Sequence, residues 1–368
     1  MKKVALIENT GKDFFISRIR FAKFLMSKGC EVTAIVPDDG YKEKIEESGI
    51  YVILTKQNIR GKGFTQYIQF TYDLYSILRN NHFDVIHCYR MQPNIIGGFI
   101  GGILRQHIIN HVTGLGSVFV QKTPKKIMSQ FIIRFCYMLN SRLFKTKYIF
   151  QNEHDSKDLN IKTNYTIIRG SAVNEELFYP SKTSVKKDLQ SSSYNLLFVS
   201  RLLKSKGLSN LVNALIHLRE NEQIKVNLVI AGWIDDQNPE SYSNNQLNDL
   251  INHSFINFLG QREDVPKLIR NSDVCILPTY YREGTPRFLL EAMACGKPII
   301  TCKMPGCSHL VEDNGVLVQP NNDLDLANGI KIVINKDLNK LGAASSSLYK
   351  NKFSEEIIYN QIFRYYQL

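Results

Sequence analysis

Two carboxylates with a turn between them are the most informative chemical feature of this sequence. Glu283 and Glu291 form an E-x7-E pattern in the stretch "REGTPRFLLEAMACGKP" (282–298), where Gly-Thr-Pro separates an apolar strand pattern from an apolar helix pattern. Pro286 suits the first turn of a helix, because the N–H that proline lacks has no intrahelical partner there. The pattern therefore predicts one carboxylate in a loop before a helix and a second carboxylate within that helix.

The start of this helix is predicted to bind an anion. The amides of Gly284, Thr285 and Arg287, together with the helix dipole, favour a negatively charged group such as a phosphate. Glu291 falls inside the otherwise apolar helix, and an unpaired buried carboxylate is costly. Its partner is therefore either a basic side chain or a pair of ligand hydroxyls, which two carboxylate oxygens can bind together.

A pair of basic residues follows another strand pattern. Arg201 and Lys206 lie in "SRLLKSKG" (200–207), between the apolar stretch "YNLLFV" and a helical pattern. Cations at the carboxyl end of a strand point towards the place where a ligand anion would bind. The alternative is that both are solvated cations of a surface loop.

Other short motifs are weaker. The glycine-rich stretches "RGKG" (60–63) and "TGLGS" (113–117) match neither the dinucleotide fingerprint nor a Walker loop. Asp323 and Asp325 could hold a divalent metal ion, but their position at the start of a helical pattern favours helix capping. The cysteines have no zinc-like spacing. We therefore predict no metal site.

The elements that must position these residues alternate between strand and helix in both halves of the chain. Apolar strands separated by helices are typical of parallel sheets covered on both faces. We predict an α/β protein of two Rossmann-like, doubly wound domains that face each other across a cleft, with ligands at the carboxyl edges of the sheets. The expected parts are an N-terminal Rossmann-like domain, a serine-rich linker, a C-terminal Rossmann-like domain and a last helix with an aromatic stripe that crosses back to the N-terminal domain (1–180, 181–194, 195–350 and 351–368).

Composition describes a globular protein of 368 residues, of which 43% are hydrophobic and 22% charged. The apolar runs are shorter than the ~20 residues of a membrane-spanning helix. "MKKVALIEN" has no extended apolar core, so we expect no signal peptide. The seven scattered cysteines suit a reducing cytoplasm.

Positive charge is concentrated in the stretch 85–152, which has no Asp or Glu. Apolar side chains lie among its nine basic residues: Arg90, Arg105, Lys122, Lys125, Lys126, Arg134, Arg142, Lys145 and Lys147. A basic face beside exposed apolar groups predicts contact with an anionic membrane surface. The alternatives are a solvated basic face or a nucleic-acid patch; no recognition motif supports nucleic acid.

Four stretches, taken together, resemble family 4 of the retaining glycosyltransferases, which have the GT-B fold. They are "SRLLKSKG", "FLGQREDV", "SDVCILPTYYREGTPRFLLEAMACGKPII" and "NGVLVQP", and they cover roughly 194–320 in the family's order and spacing. In the first half, "FFISRIRFAKFL", "FDVIHCYRMQPN", "VTGLGSVF" and "YIFQNEHD" resemble bacterial members that extend polysaccharide repeat units on a polyprenyl diphosphate. N-acetylgalactosaminyltransferases are the most similar of these.

The resemblance implies roles for the phosphate-binding residues. Arg201 and Lys206 match the family's cations that hold the donor diphosphate. The amides of Gly284 and Thr285 would complete the phosphate site.

It also implies how the rest of a UDP-sugar would bind. Glu291 matches the carboxylate that binds the nucleotide ribose, and Glu283 matches the acidic residue at the donor sugar's hydroxyls. Gln261 and Arg262 fall where the backbone frames the uracil. Thr113 occupies the position of a histidine that many members have near the donor sugar, which is a departure from the family pattern.

The implied activity is transfer of a hexose or N-acetylhexosamine, with retention, from a UDP-sugar to a polyprenyl-diphosphate-linked saccharide, with no metal or other cofactor. The protein would be cytoplasmic and peripheral on the inner face of the membrane. Two alternatives remain: a UDP-sugar-hydrolysing 2-epimerase of the same architecture, which would release UDP without an acceptor, and a non-catalytic nucleotide-sugar-binding module.

Overall fold

Parallel strands alternating with helices form two units in the computed structural model. The structure describes residues 1–56, 64–120, 123–180, 193–236 and 238–367, without the side chains of Phe64 and Ser117. Unit 1 comprises Met1–Ser171 and Glu356–Leu368, and unit 2 comprises Ala172–Glu355. The "RGKG" stretch, Lys122 and most of the expected linker lie outside the described residues.

Unit 1 contains a seven-stranded parallel sheet with the strand order β3-β2-β1-β4-β5-β6-β7. Its strands are β1 (Lys2–Ile7), β2 (Cys30–Pro37), β3 (Tyr51–Thr55), β4 (Val85–Tyr89), β5 (Ile108–Val112), β6 (Lys147–Phe150) and β7 (Tyr165–Ile167). The order reverses between β1 and β4. In doubly wound sheets, ligands bind outside the carboxyl ends of the two strands at such a point.

Within the described residues of unit 1, seven helices connect these strands. They are α1 (Gly11–Ser17), α2 (Ile19–Ser27), α3 (Lys42–Glu46), α4 (Phe64–Asn80), α5 (Met91–Ile103), α6 (Pro124–Phe144) and α7 (Glu153–Asp158). Phe70, Leu74 and Leu78 of α4 lie one helical turn apart and are fully buried against the sheet. The glycine-rich apolar stretch after β4 forms α5.

The first helical pattern differs from its prediction. "FFISRIRFAKFLMSKG" reads as one amphipathic helix, yet the structure divides it into α1 and α2 at Arg18, whose φ is −120°. The Arg18 side chain is buried and donates to the carboxylate of Glu8. A buried ion pair with a residue outside the helix has no signal in helical periodicity, so the break could not be predicted.

Unit 2 contains a six-stranded parallel sheet with the order β10-β9-β8-β11-β12-β13. Its strands are β8 (Tyr194–Val199), β9 (Val226–Ala231), β10 (Ile256–Phe258), β11 (Val274–Leu277), β12 (Ile299–Cys302) and β13 (Gly315–Val318). This is the Rossmann order, and it reverses between β8 and β11.

In the part of unit 2 that the structure describes, six helices cover this sheet. They are α8 (Leu208–Glu220), α9 (Asn244–Ile251), α10 (Val265–Asn271), α11 (Arg287–Ala294), α12 (Asp323–Ile334) and α13 (Leu338–Lys352). Leu196, Ile230 and Ile276 of the central strands are fully buried in one continuous core. The predicted doubly wound architecture is therefore confirmed.

The last helix, α14 (Glu355–Tyr366), packs on unit 1. Tyr359 and Tyr366 contact the ring of Phe21 on α2, at centroid distances of 5.2 Å and 6.3 Å. Tyr366 is fully buried. The aromatic stripe that the sequence places in this segment is thus the face that α14 buries against α2.

Candidate functional site

The switch point of the unit 2 sheet brings together three of the sequence-predicted residues. Arg201 and Lys206 follow β8, and Glu283 follows β11, which is the neighbour of β8 in the sheet. Strand order alone therefore places these side chains at one edge, where an open α/β sheet binds its ligand.

A tight backbone contact positions Lys206. The carbonyl of Ser205 accepts the amides of Tyr280 and Tyr281, at 2.9 Å and 3.1 Å, so the turn after β8 is tied to the loop after β11. Gly207 has a φ of +79°, and a Cβ there would lie 2.1 Å from the carbonyl oxygen of Pro278. Only glycine fits this turn without displacing it.

The ammonium group of Lys206 contacts the carboxylate of Glu283. Both side chains are largely buried, with exposed fractions of 10% and 16%. The ammonium also lies 5.0 Å from the centre of the Tyr281 ring, which adds a cation–π interaction. Lys206 is therefore a fixed positive charge at the switch point and not a solvated loop cation.

Arg201 is held by an aspartate that the sequence analysis did not identify. Its guanidinium donates to the carboxylate of Asp235 at 2.8 Å, and the exposed fractions of the two side chains are 36% and 26%. Ser241 fixes Asp235 in turn, because its hydroxyl hydrogen-bonds with the Asp235 amide and carbonyl. Asp235 lies in an irregular loop after β9, where neither periodicity nor spacing distinguishes it.

The loop that carries Glu283 is closely packed against a second turn. A Cβ on Gly306 would lie 2.4 Å from the Glu283 carbonyl oxygen and 2.2 Å from that of Gly284. The Thr285 hydroxyl lies 3.4 Å from Nε2 of His309, which the sequence did not single out. Within the described residues, no hydrogen-bond acceptor contacts the amides of Gly284 or Thr285. Gly284 and Thr285 are two of the three residues whose amides the sequence predicts to bind an anion.

Glu291 lies inside α11, as predicted, and its protein partner is Arg287. Arg287 Nε donates to Glu291 Oε1 at 2.9 Å across one helical turn. The helix begins at Arg287, with Pro286 as its N-terminal cap residue. Burial raises the pKa of Glu291, and the neighbouring Arg287 guanidinium partly opposes this shift.

Gln261 and Arg262 lie further along the same edge of the sheet. They follow β10, which is separated from β8 by β9, and both side chains are exposed. Arg262 forms a bidentate pair with Asp264, at 2.8 Å and 2.9 Å. The Arg262 side chain therefore binds a local partner, and the backbone of this loop remains able to contact a ligand.

The switch point of unit 1 holds a buried charged cluster that the sequence analysis missed. Glu8, after β1, is fully buried and accepts from Arg18 Nε at 3.1 Å and from Arg90 Nε at 3.2 Å. Arg90, after β4, has a φ of 73° and a ψ of 167°, a conformation that residues other than glycine rarely adopt. Arg18 also stacks on the ring of Tyr89, 3.7 Å away.

Two buried histidines lie beside this cluster. The rings of His87 on β4 and His111 on β5 stack at 5.4 Å, and His87 Nδ1 hydrogen-bonds with the Tyr366 hydroxyl at 2.6 Å. Burial lowers the pKa of both rings, and that of His111 to about 3. Thr113 follows β5 at the same edge, two residues after His111.

The basic segment of unit 1 presents apolar side chains on α6. Ile133, Tyr137 and Asn140 form its buried face. The opposite face exposes a set of large apolar residues: Ile127, Met128, Phe131, Ile132, Phe135 and Leu143. Lys125, Arg134, Arg142 and Lys145 are exposed on or beside the same helix. Across the described ranges, none of the helices is long and apolar enough to span a bilayer.

The two aspartates considered as metal ligands have structural partners. Asn322 caps α12, and its side chain accepts from the Asp325 amide. Asp323 accepts from the side-chain amides of Asn210 and Asn213 on α8. The Asn322 side chain therefore caps the start of α12, and Asp323 links α12 to α8.

Two family models match this chain. The model described as "Glycosyl transferases group 1" matches residues 181–350, and the one described as "Glycosyl transferase 4-like" matches residues 3–152. The first match contains every residue of the unit 2 site described above.

Among characterised relatives, an enzyme of Campylobacter jejuni is 26% identical over 99% of this chain and 98% of its own length. It is named N,N'-diacetylbacillosaminyl-diphospho-undecaprenol alpha-1,3-N-acetylgalactosaminyltransferase. UDP-Gal:alpha-D-GlcNAc-diphosphoundecaprenol alpha-1,3-galactosyltransferase of Escherichia coli is 25% identical over 76% of this chain and 74% of its own length.

Solved structures share the whole fold. HepE of Anabaena, in complex with UDP and glucose, superposes with a TM-score of 0.78 at 20% identity and 99% coverage of both chains. Sucrose-phosphate synthase of Thermosynechococcus elongatus gives a TM-score of 0.82 at 19% identity, over 100% of this chain and 98% of its own. At this identity the likeness concerns the fold.

Proposed function

Since the chain belongs to the GT-B glycosyltransferases, with a 4-like domain followed by a group 1 domain, we propose that it transfers a sugar from a UDP-sugar to a saccharide on a polyprenyl diphosphate. The observation that carries the donor half of this proposal is the contact between Lys206 and Glu283 at the switch point of unit 2. A cation, a carboxylate and the backbone amides of a helix start at one sheet edge can bind a diphosphate and a sugar together.

Each part of the donor has a matching group in this proposal. Arg201 and Lys206 bind the diphosphate, and the amides of Gly284 and Thr285 add hydrogen bonds to it. Glu283 accepts hydroxyl groups of the transferred sugar. The positive charge of Arg201 and Lys206 takes the place of the divalent metal ion that other nucleotide-sugar sites use. The proposed reaction therefore needs no metal.

The ribose and the uracil of the nucleoside each have a proposed binding group beside the phosphate site. Glu291 is nine-tenths buried and binds the ribose hydroxyls. The backbone at Gln261 and Arg262 frames the uracil. UDP as the nucleotide is supported by the HepE structure that holds UDP and glucose, and by the UDP-galactose named for the E. coli relative.

In the proposed reaction, the bond between the anomeric carbon and the β-phosphate oxygen breaks, and its electron pair leaves with UDP. An acceptor hydroxyl attacks from the same face, and its proton passes to the departing phosphate oxygen, so the configuration is retained. Negative charge grows on the phosphate as the bond breaks. Lys206 and Arg201 are fixed where that charge develops and therefore stabilise the transition state.

The acceptor is proposed to be a saccharide linked to a polyprenyl diphosphate. Both the C. jejuni and the E. coli relatives are named for diphospho-undecaprenol-linked acceptors. The apolar and basic face of α6 suits an anionic membrane, where such an acceptor resides. We propose that the protein works at the cytoplasmic surface of the membrane and that unit 1 binds the acceptor.

A donor panel tests this function. UDP-, GDP-, dTDP- and ADP-sugars are incubated with synthetic polyprenyl-diphosphate-linked GlcNAc and GalNAc, and without any acceptor. We expect UDP release from one or more UDP-sugars that depends on the acceptor, and a product whose anomeric configuration by NMR is that of the donor. UDP release at the same rate without acceptor would instead indicate a hydrolysing epimerase, and an inverted product would exclude the proposed attack.

A further inference from the structure

Arg287 and Glu291 form an ion pair within α11. They lie one helical turn apart, and Arg287 Nε donates to Glu291 Oε1 at 2.9 Å. The Arg287 side chain is 32% exposed, whereas only 12% of the Glu291 side chain is exposed. The arginine therefore covers a carboxylate that the helix itself buries.

Within the part of the chain that the structure describes, one oxygen of this carboxylate accepts a hydrogen bond from a protein group. Among the residues that the structure describes, no donor other than Arg287 forms a hydrogen bond with Glu291, and Arg287 binds Oε1. Oε2 is therefore left to accept from a ligand. A ribose offers two neighbouring hydroxyls, and an ionised carboxylate can accept from both.

We propose that Arg287 is a positioning residue that keeps Glu291 ionised and fixes its orientation for the ribose diol of the donor. This inference rests on the proposed function, because it assumes that Glu291 binds the nucleotide ribose. Arg287 acts through Glu291 in this account and does not bind the donor phosphates.

The electrostatics of the site support this role. Burial raises the pKa of Glu291, and the charge and hydrogen bond of Arg287 lower it. Among the described residues, the other titratable groups that interact with Glu291 are the thiols of Cys275 on β11 and Cys295 at the end of α11. Burial raises the pKa of each thiol to about 12, so both stay neutral. Arg287 is thus the group that opposes protonation of Glu291.

Protonation would change what Glu291 can bind. A neutral carboxyl group donates through one oxygen, so it can no longer accept from both ribose hydroxyls. Without Arg287, burial alone would act on the Glu291 pKa, and a larger fraction of the side chain would be protonated near neutral pH.

Calorimetric titration with UDP at several pH values between 6 and 9 tests the proposal. We expect Arg287→Gln to weaken UDP binding about tenfold or more at pH 7. The ratio of the Kd for UDP of Arg287→Gln to that of wild type should fall as the pH rises, because a larger fraction of Glu291 in the variant is then ionised. Arg287→Lys should retain part of the affinity. Lys42→Gln is the matched control, since Lys42 and Glu46 form an i,i+4 pair on α3 that is 41% and 40% exposed.

A double-mutant cycle distinguishes an effect of Arg287 through Glu291 from direct contact between Arg287 and the donor phosphates. If it acts through Glu291, Arg287→Gln costs little further affinity in a Glu291→Gln background. Wild type should also prefer UDP to 2'-deoxy-UDP, and Arg287→Gln should reduce this preference. Circular dichroism and thermal unfolding confirm that each variant is folded.

The outcomes distinguish this inference from the proposed function. If wild type fails to bind UDP, the donor assignment itself is wrong. If wild type binds UDP and Arg287→Gln binds it equally well at every pH, only the inference on Arg287 is overturned. A loss of UDP affinity that is constant with pH and persists in the Glu291→Gln background also overturns the inference on Arg287. That result would indicate direct contact between Arg287 and the phosphates.

Discussion

The ammonium group of Lys206 contacts the carboxylate of Glu283, although 77 positions separate the two residues. They meet because β8 and β11 are neighbours at the point where the strand order reverses. In the proposed complex, the donor diphosphate adds negative charge beside this pair and the transferred sugar lies over Glu283. One ion pair thus joins the group that stabilises the leaving phosphate to the group that binds the sugar.

Glu283→Gln tests the assignment of this carboxylate to the sugar. We expect kcat/KM for the UDP-sugar to fall about 10- to 100-fold, since a charged acceptor of hydroxyl groups is lost. UDP alone should bind at least as tightly as to wild type, because Lys206 no longer has a carboxylate partner. Glu263→Gln, an exposed residue of the same unit, is the control. Weakened binding of UDP itself would place Glu283 at the nucleotide instead.

Gly207→Ala tests whether the turn after β8 must approach the loop after β11. A Cβ at this position meets the Pro278 carbonyl oxygen and also requires a left-handed backbone. We expect a loss of about 2–5 kcal/mol in the free energy of unfolding, measured in urea. Gly29→Ala is the matched control, because Gly29 has a φ of +82° with nothing within 4 Å of the added Cβ. It should lose only about 1–2 kcal/mol; equal losses would show that the close approach is unimportant.

The sequence predicted much of the unit 2 site, because that site follows from strand order and from a helix start. Strand patterns before Arg201 and Glu283 place both residues at carboxyl ends of a parallel sheet, and the Gly-Thr-Pro break predicts α11 to within one or two residues. Asp235 could not be predicted, since it lies in an irregular loop whose course depends on tertiary contacts.

The charged cluster of unit 1 was harder to foresee for a related reason. Glu8 follows an apolar strand and has the appearance of an ordinary loop residue, yet it is fully buried between Arg18 and Arg90. Ion pairing between segments far apart in the sequence leaves no periodic pattern. The backbone conformation of Arg90, which is rare outside glycine, is likewise imposed by its surroundings.

The buried histidines of unit 1 predict a loss of stability in mild acid. Burial lowers the pKa of His87 and His111 in the folded state, so below about pH 6.5 the unfolded chain binds more protons. The free energy of unfolding should therefore fall as the pH drops from 6.5 to 4, by up to about 1.4 kcal/mol per pH unit for each ring.

Urea unfolding at a series of pH values measures this slope. His111→Gln should make this slope smaller by the contribution of one buried ring. If the slope in His111→Gln equals that of wild type, the lowered pKa of the buried His111 ring is contradicted.

The apolar face of α6 predicts binding to anionic vesicles. Replacing Phe131 and Phe135 with serine removes two exposed rings, 65% and 48% accessible, and should weaken binding about tenfold or more for each ring. Ile332→Ser, on α12 of unit 2, is the control for exposed apolar area. Co-sedimentation with phosphatidylglycerol vesicles measures the effect, and binding should weaken at high salt. Equal binding to neutral phosphatidylcholine vesicles would contradict a role for the basic residues.

The most direct test of the central claim is turnover of Lys206→Gln at saturating UDP-sugar and acceptor. Lys204 belongs to the same turn but its side chain is exposed, so Lys204→Gln is a matched control. If Lys206 stabilises the departing diphosphate, kcat falls about 10²- to 10³-fold in Lys206→Gln and remains near wild type in Lys204→Gln. Wild-type kcat in a folded Lys206→Gln variant would contradict the account.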